Sequence, residues 1–180
     1  MSINIHDIPE SNIVEFKLEN LLSGKTYTYM PYYFGSDVSG VEKSFTTLKH
    51  PYDIQHDLNV SAAKDMSSSG SANCYIVSES GLYKFKPVKG NSNESVGSVA
   101  SASILWETFG TSIIPEMLDL IKAFCYEDGY IAFQTADVFK EGNAVIAAKE
   151  ADGNILWSWH IWFTDQPQGQ VYYNNAGVMM

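Results

Sequence analysis

No stretch of about 18 consecutive apolar residues occurs in this 180-residue chain, which excludes a hydrophobic membrane-spanning helix. Basic side chains are scarce, with 11 Lys and Arg against 21 Asp and Glu and a formal net charge of -10. A chain so acidic repels phosphate backbones and anionic lipid headgroups over a Debye length, so nucleic acid and anionic membrane surfaces are not its expected partners. Cysteine is nearly absent. Cys74 and Cys125 form no CxxC or Cys/His spacing that would read as a metal site, and each lies in an apolar, strand-like run. Both are expected as free, buried thiols. Met1 to Asp7 has neither the basic nor the apolar region of a secretory signal, so either the protein is cytoplasmic or its true N-terminus lies upstream. No GxSxG elbow is present, and residues 90–97 are not followed by the helix that a phosphate-cradling loop needs.

What is present is apolar and aromatic. With 45% hydrophobic and 13% aromatic residues the chain can build one sizeable core or two small ones. Between Ile13 and Leu48 three strands are expected: Ile13 to Leu18, Lys25 to Phe34, and Val41 to Thr47. In the second, Tyr27, Tyr29 and Tyr33 share one face while Thr28, Met30 and Tyr32 share the other. Three strands without a second sheet cannot bury both faces, so this meander is expected to be marginal by itself. Lys49 to Ser71 carries Pro51 and Ser67-Ser68-Ser69-Gly70-Ser71, and reads as a linker.

A second β pattern begins at Ala72. Cys74 to Val77 and Leu82 to Phe85 flank Ser78-Glu79-Ser80-Gly81, a spacing suited to a hairpin. Residues 90–103, rich in Gly, Ser and Asn, read as a long loop, followed by a short strand Ile104 to Glu107. Asp128-Gly129 and Asp152-Gly153 each separate two apolar runs and signal further hairpins, because glycine supplies the positive φ that tight turns need. Pro115 to Lys122 has the spacing of a single helical turn, but Ile121 to Tyr126 is expected as strand because it leads directly into Asp128-Gly129. The fold class is therefore all-β: a fibronectin-like piece over 1–50, a linker over 51–71, and an antiparallel β-sandwich over 72–180 with a C-terminal tail.

Two tracts resemble known families. Leu18-Glu19-Asn20-Leu21-Leu22-Ser23-Gly24-Lys25-Thr26-Tyr27-Thr28-Tyr29, followed by Ser44-Phe45-Thr46-Thr47, resembles the last three strands of a fibronectin type III domain. That resemblance implies a tyrosine corner at Tyr27, its hydroxyl returning to backbone a few residues upstream. The first strands of such a domain have no counterpart here. Ala72 to Val77, Val88 to Ser95, Asp128 to Phe133, Gly142 to Ala148 and Trp157 to Trp162 together resemble a module of surface proteins from anaerobic gut bacteria, found near fimbrillin-like adhesins. This second resemblance implies an exported, cell-surface parent protein from which both ends of the chain are cut. It implies a location and no catalytic activity.

The candidate ligand-binding residues are Trp162 and His160. In Trp157-Ser158-Trp159-His160-Ile161-Trp162-Phe163, alternation puts Trp157, Trp159, Ile161 and Phe163 on a wholly apolar face expected in the core. Ser158, His160 and Trp162 lie opposite, where an indole beside an imidazole would suit a sugar ring, the alternative being that Trp162 is core or an interdomain contact. Tyr172 and Tyr173 are weaker candidates of the same kind. His50, Asp53, His56 and Asp57 have metal-ligating chemistry but no fixed geometry, and read as solvated linker. Glu116 with Asp119, and Glu150 with Asp152, read as solvated turns. No catalytic residue, metal or cofactor is assigned; a hydrolase would need His160 within reach of a serine hydroxyl and a carboxylate. The expected function is a non-catalytic structural or adhesion module, with carbohydrate binding as the alternative. The partners compatible with it are a glycan, another surface protein, or a second copy paired through an open edge strand.

Overall fold

Asp128 and Gly129 both take left-handed backbone, with φ of 52° and 77°, in the computed structural model of the chain. They join β7 (Ile121–Glu127) to β8 (Tyr130–Thr135) as a two-residue hairpin in which Glu127 faces Tyr130, the outcome expected of Asp-Gly between apolar runs. The structure describes residues 17–31 and 40–165, which divide after Lys49 into two compact units.

In the first unit β1 (Thr26–Tyr29) pairs antiparallel with β2 (Lys43–Thr46), and Tyr27 stacks on Phe45 with centroids 5.7 Å apart. Among the described residues of this unit none is buried. Ile13 to Phe16, Tyr32, Tyr33 and Phe34, also assigned to strands from the sequence, lie outside the described residues, as do Tyr172 and Tyr173.

The second unit is nearly all β, in two four-stranded sheets. One has the order β4 (Cys74–Val77), β10 (Ile155–Phe163), β9 (Gly142–Lys149), β6 (Ser101–Thr108). The other runs β3 (Lys64–Asp65), β5 (Leu82–Phe85), β8, β7. Their inner faces enclose one core. Phe85 sits in its middle, with ring centroids 4.9 Å from Tyr75, 5.2 Å from Trp159 and 6.4 Å from Phe133. Trp159, Phe85, Phe124, Phe133 and Ile161 are fully buried. Each such side chain contributes about 1.5–3 kcal/mol of transfer free energy, so this face holds the sheets together.

Five expectations from the sequence are corrected. Cys74–Val77 and Leu82–Phe85 are not a hairpin: Ser78 to Gly81 arches from one sheet to the other, so that Tyr75 and Phe85 meet face to face across the core. Two of the four edge strands then pair in parallel, β4 with β10 and β3 with β5, where a purely antiparallel sandwich was expected. The strand containing Trp106 begins at Ser101, and the loop before it is correspondingly shorter. Residues 117–120 form a turn and a bend with Leu118 at φ 66°, not a helical turn, because the N–H groups of Leu118, Asp119 and Leu120 are drawn onto Glu107.

The fifth correction concerns 51–71, which is no linker. It belongs to the second unit and contains two short 3-10 turns, Pro51–Asp53 and Val60–Ala62, and strand β3. Its first part closes the open side of the sandwich. The side chain of Gln55 donates to Ala102 O (2.7 Å) and accepts from Ala102 N and Tyr126 N (3.1 Å each), so one amide satisfies the edges of both sheets. Next to it His56 N donates to Phe124 O at 2.8 Å. Val60 then covers the outer face of the second sheet, burying Cys125 and Ala132, and Lys84 Nζ donates to its carbonyl at 2.8 Å. A Pro- and Ser-containing stretch reads as solvated because its few apolar residues have no period, yet unpaired edge groups are enough to fix it.

Candidate functional site

The two outer faces of the sandwich differ. Over the second sheet Val60 forms a small cluster, whereas the first sheet carries three exposed large apolar side chains on its outer face: Ile76 (46%), Trp106 (45%) and Trp162 (38%). That they share a face follows from register. Trp162 lies opposite Ile76 on β4 and Asn143 on β9, and Asn143 in turn lies opposite Thr108 on β6. The adjoining row runs Cys74, His160, Val145, Trp106. Residues that pair across strands, and those two apart along one strand, point the same way. The two indoles are two strands and one two-residue step apart, which puts their Cα atoms about 12 Å from each other.

The alternation assigned to β10 holds at both faces: Trp159, Ile161 and Phe163 are buried, Trp157 is half-buried, and Trp162 is exposed rather than core. Trp157 and Trp159 use their indole N–H groups internally, donating to Asn73 Oδ1 at 3.1 Å and to Val88 O at 3.2 Å. The four tryptophans therefore divide into two that fasten the sandwich and two that present surface.

Beside the exposed indoles a polar relay crosses β9, β10 and β4. Asn143 Oδ1 accepts from His160 Nε2–H at 2.8 Å. With the proton on Nε2, Nδ1 keeps its lone pair, and it stands 3.1 Å from Cys74 Sγ. Cys74 is exposed, not buried as the sequence suggested, whereas Cys125 is buried, and both thiols are free. The reason is alternation again: Tyr75 and Val77 point inward, so Cys74 and Ile76 point out. Desolvation pushes the Cys74 thiol above its ordinary value, and Cys125 is raised for the same first reason.

Cys74 is held firmly. Its neighbour Asn73 accepts from His160 N at 2.9 Å through its carbonyl and from Gly90 N at 3.0 Å through its side chain. Gly90 has no room for a Cβ, which would lie 2.4 Å from Asn73 Cγ and 2.5 Å from Asn73 N. The structure thus sets the sequence candidates His160 and Trp162 beside Cys74, Asn143 and Trp106, which three other strands bring alongside and which the sequence did not single out as candidates. The partners sought for His160, a serine hydroxyl and a carboxylate, are replaced at its two ring nitrogens by a thiol and an amide.

The other sequence candidates are dispersed along the closing segment. His50 Nδ1 accepts from Tyr52 N at 3.3 Å, His56 Nδ1 accepts from Phe124 N at 3.3 Å, and Asp53 Oδ1 accepts from Ser103 Oγ and Lys149 Nζ at 2.8 and 2.6 Å. Among the described residues no three His, Cys, Asp or Glu side chains are grouped to hold a metal ion. Asp119 pairs with Lys140. One carboxylate with many partners is not singled out by the sequence. Glu107, 9% exposed, accepts from the backbone N–H groups of Leu118, Asp119, Leu120 and Ile121 at 2.8–3.2 Å and from the Tyr52 hydroxyl at 3.0 Å. It ties the 118–121 turn and the closing segment to the end of β6 that carries Trp106.

Comparison of the chain with protein-family models, with curated proteins and with solved structures returned no match.

Proposed function

We propose that the chain is a non-catalytic adhesion module of an exported cell-surface protein, and that it takes carbohydrate on the outer face of the β4-β10-β9-β6 sheet. The observation that carries this reading is the exposure of Trp162 and Trp106 on one sheet face, on either side of His160 and Asn143. A pyranose is amphipathic: its C–H face stacks on an indole while its rim of hydroxyls needs hydrogen-bonding partners within the same plane. Two indoles about 12 Å apart reach along more than one ring, which favours an oligosaccharide over a single sugar. The half-buried Asn143, Thr108 and His160 supply polar groups between them. The contrast with the opposite sheet supports this reading, because there the chain covers the outer face and here it leaves indoles exposed.

Export and a fibronectin-like neighbour rest on the sequence resemblances. One contact in the first unit supports the fibronectin-like reading: Leu22 N donates to the Tyr27 hydroxyl at 2.8 Å, five residues upstream, the bond a tyrosine corner makes.

A glycan panel titrated into the intact chain, read by tryptophan fluorescence, tests the proposal. Saturable quenching or enhancement that is lost in Trp162→Ala supports it. A folded protein that responds to no glycan returns the module to a spacer role.

A further inference from the structure

A nucleophile, a base and a group orienting that base stand in line on the exposed sheet face, and carbohydrate recognition has no use for the first of them. From this geometry we infer that Cys74 is a base-activated thiol that forms mixed disulfides with small disulfide-bearing molecules. Cys74 Sγ lies 3.1 Å from His160 Nδ1, and His160 Nε2 is fixed by Asn143 Oδ1 at 2.8 Å. A thiol alone at its ordinary pKa reacts slowly below neutrality because the thiolate is the nucleophile. Desolvation opposes a lone thiolate at Cys74, but the imidazole is held in the tautomer that can accept the thiol proton, so the charge forms as a hydrogen-bonded thiolate–imidazolium pair rather than as a bare anion.

The inference depends on the arrangement being rigid and reachable. Rigidity comes from the parallel β4–β10 register, in which Cys74 faces His160, and from the Gly90–Asn73 contact behind it. Reach comes from exposure, since Cys74 lies on the solvent side of an edge strand. Cys125, buried beneath Val60, is the internal contrast: a free thiol without access.

In the exchange, His160 Nδ1 takes the proton from Cys74 Sγ and the thiolate attacks one sulfur of the incoming disulfide. A new S–S bond forms to Cys74 as the old one breaks. The departing thiolate then takes the proton back from the imidazolium. One disulfide is consumed and one formed, so no further oxidant is required.

The test uses dithiodipyridine as the probe, with the intact chain, following released thiopyridone between about pH 5 and pH 9 and locating the adduct by mass spectrometry. The expected result is an adduct at Cys74, a rate limb persisting below the ordinary thiol range, and a rate near pH 6 at least about tenfold above that of His160→Gln. Asn143→Ala, which keeps thiol and imidazole but frees the tautomer, is expected to fall between the two. Superimposable profiles for the wild-type chain and His160→Gln, or labelling of Cys125 ahead of Cys74, would overturn the inference. Should His160→Gln fail to fold, the wild-type profile decides alone: a single ionisation at or above the ordinary thiol value refutes a base-activated thiol, and a limb below it supports one.

Discussion

Replacing Glu107 by alanine removes the acceptor for four backbone N–H groups and one phenol at once. These donors are not equivalent. Leu118, Asp119 and Tyr52 are half-buried and can turn to water, whereas Leu120 and Ile121 are 1% and 0% exposed and cannot. Stranding a buried donor costs about 1–3 kcal/mol, and removing a buried carboxylate recovers part of its own desolvation cost. The net loss expected for Glu107→Ala is therefore about 3–4 kcal/mol, a large part of a domain stability of about 5–15 kcal/mol. Glu107→Gln keeps one acceptor oxygen but turns an amide N–H₂ toward two of the N–H donors, so about 2 kcal/mol is expected. Urea unfolding followed by tryptophan fluorescence reads both. At an m-value near 2 kcal/mol/M the alanine variant should unfold at about 2 M less urea, with the glutamine variant intermediate. A loss under about 0.5 kcal/mol in Glu107→Ala would refute the view that this carboxylate organises the end of β6.

Alkaline pH should destabilise the protein. Desolvation raises the phenols of Tyr52, Tyr75 and Tyr83, with Glu107 adding to the shift at Tyr52, so the folded state holds these protons where the unfolded chain, titrating near pH 10, has lost them. Stability is thus unaffected by these groups below about pH 10 and falls above it, and Tyr52→Phe should flatten part of the fall. Urea midpoints between pH 8 and pH 11 that do not move would contradict this. Gly90→Ala forces a Cβ against Asn73, and is expected to lower stability by about 1–3 kcal/mol and to slow dithiodipyridine attack at Cys74, since Asn73 fixes that residue. Unchanged melting temperature and thiol reactivity would show that the contact relaxes freely.

Much of the fold could be read from the chain because its signals are local. Asp128-Gly129 announced its own turn, and alternation in Trp157 to Phe163 separated the buried Trp159, Ile161 and Phe163 from the exposed Trp162. Pairings that span the sandwich were not legible. Nothing in Ser78 to Gly81 distinguishes an arch between sheets from a hairpin, because both need the same turn residues and differ only in where Tyr75 and Phe85 find apolar partners. The role of Gln55 was hidden for a related reason: a polar side chain that satisfies two sheet edges looks in sequence like any solvated one. The site was half legible. His160 and Trp162 share a strand, but Asn143 is 17 residues away and Cys74 is 86, and only the shared sheet joins them. The alternation that sorts Trp157 to Phe163 also operates in β4, where Tyr75 and Val77 point inward and Cys74 outward.

The assignment of the β4-β10-β9-β6 outer face as the recognition surface is tested most directly by the four indole N–H resonances, assigned by single Trp→Phe substitutions and followed while a glycan from the panel is titrated in. The signals of Trp162 and Trp106 should shift together and saturably, while those of Trp157 and Trp159, bonded to Asn73 and Val88, stay in place. Movement of the two internal signals without the two exposed ones, or no movement with any glycan, would contradict it.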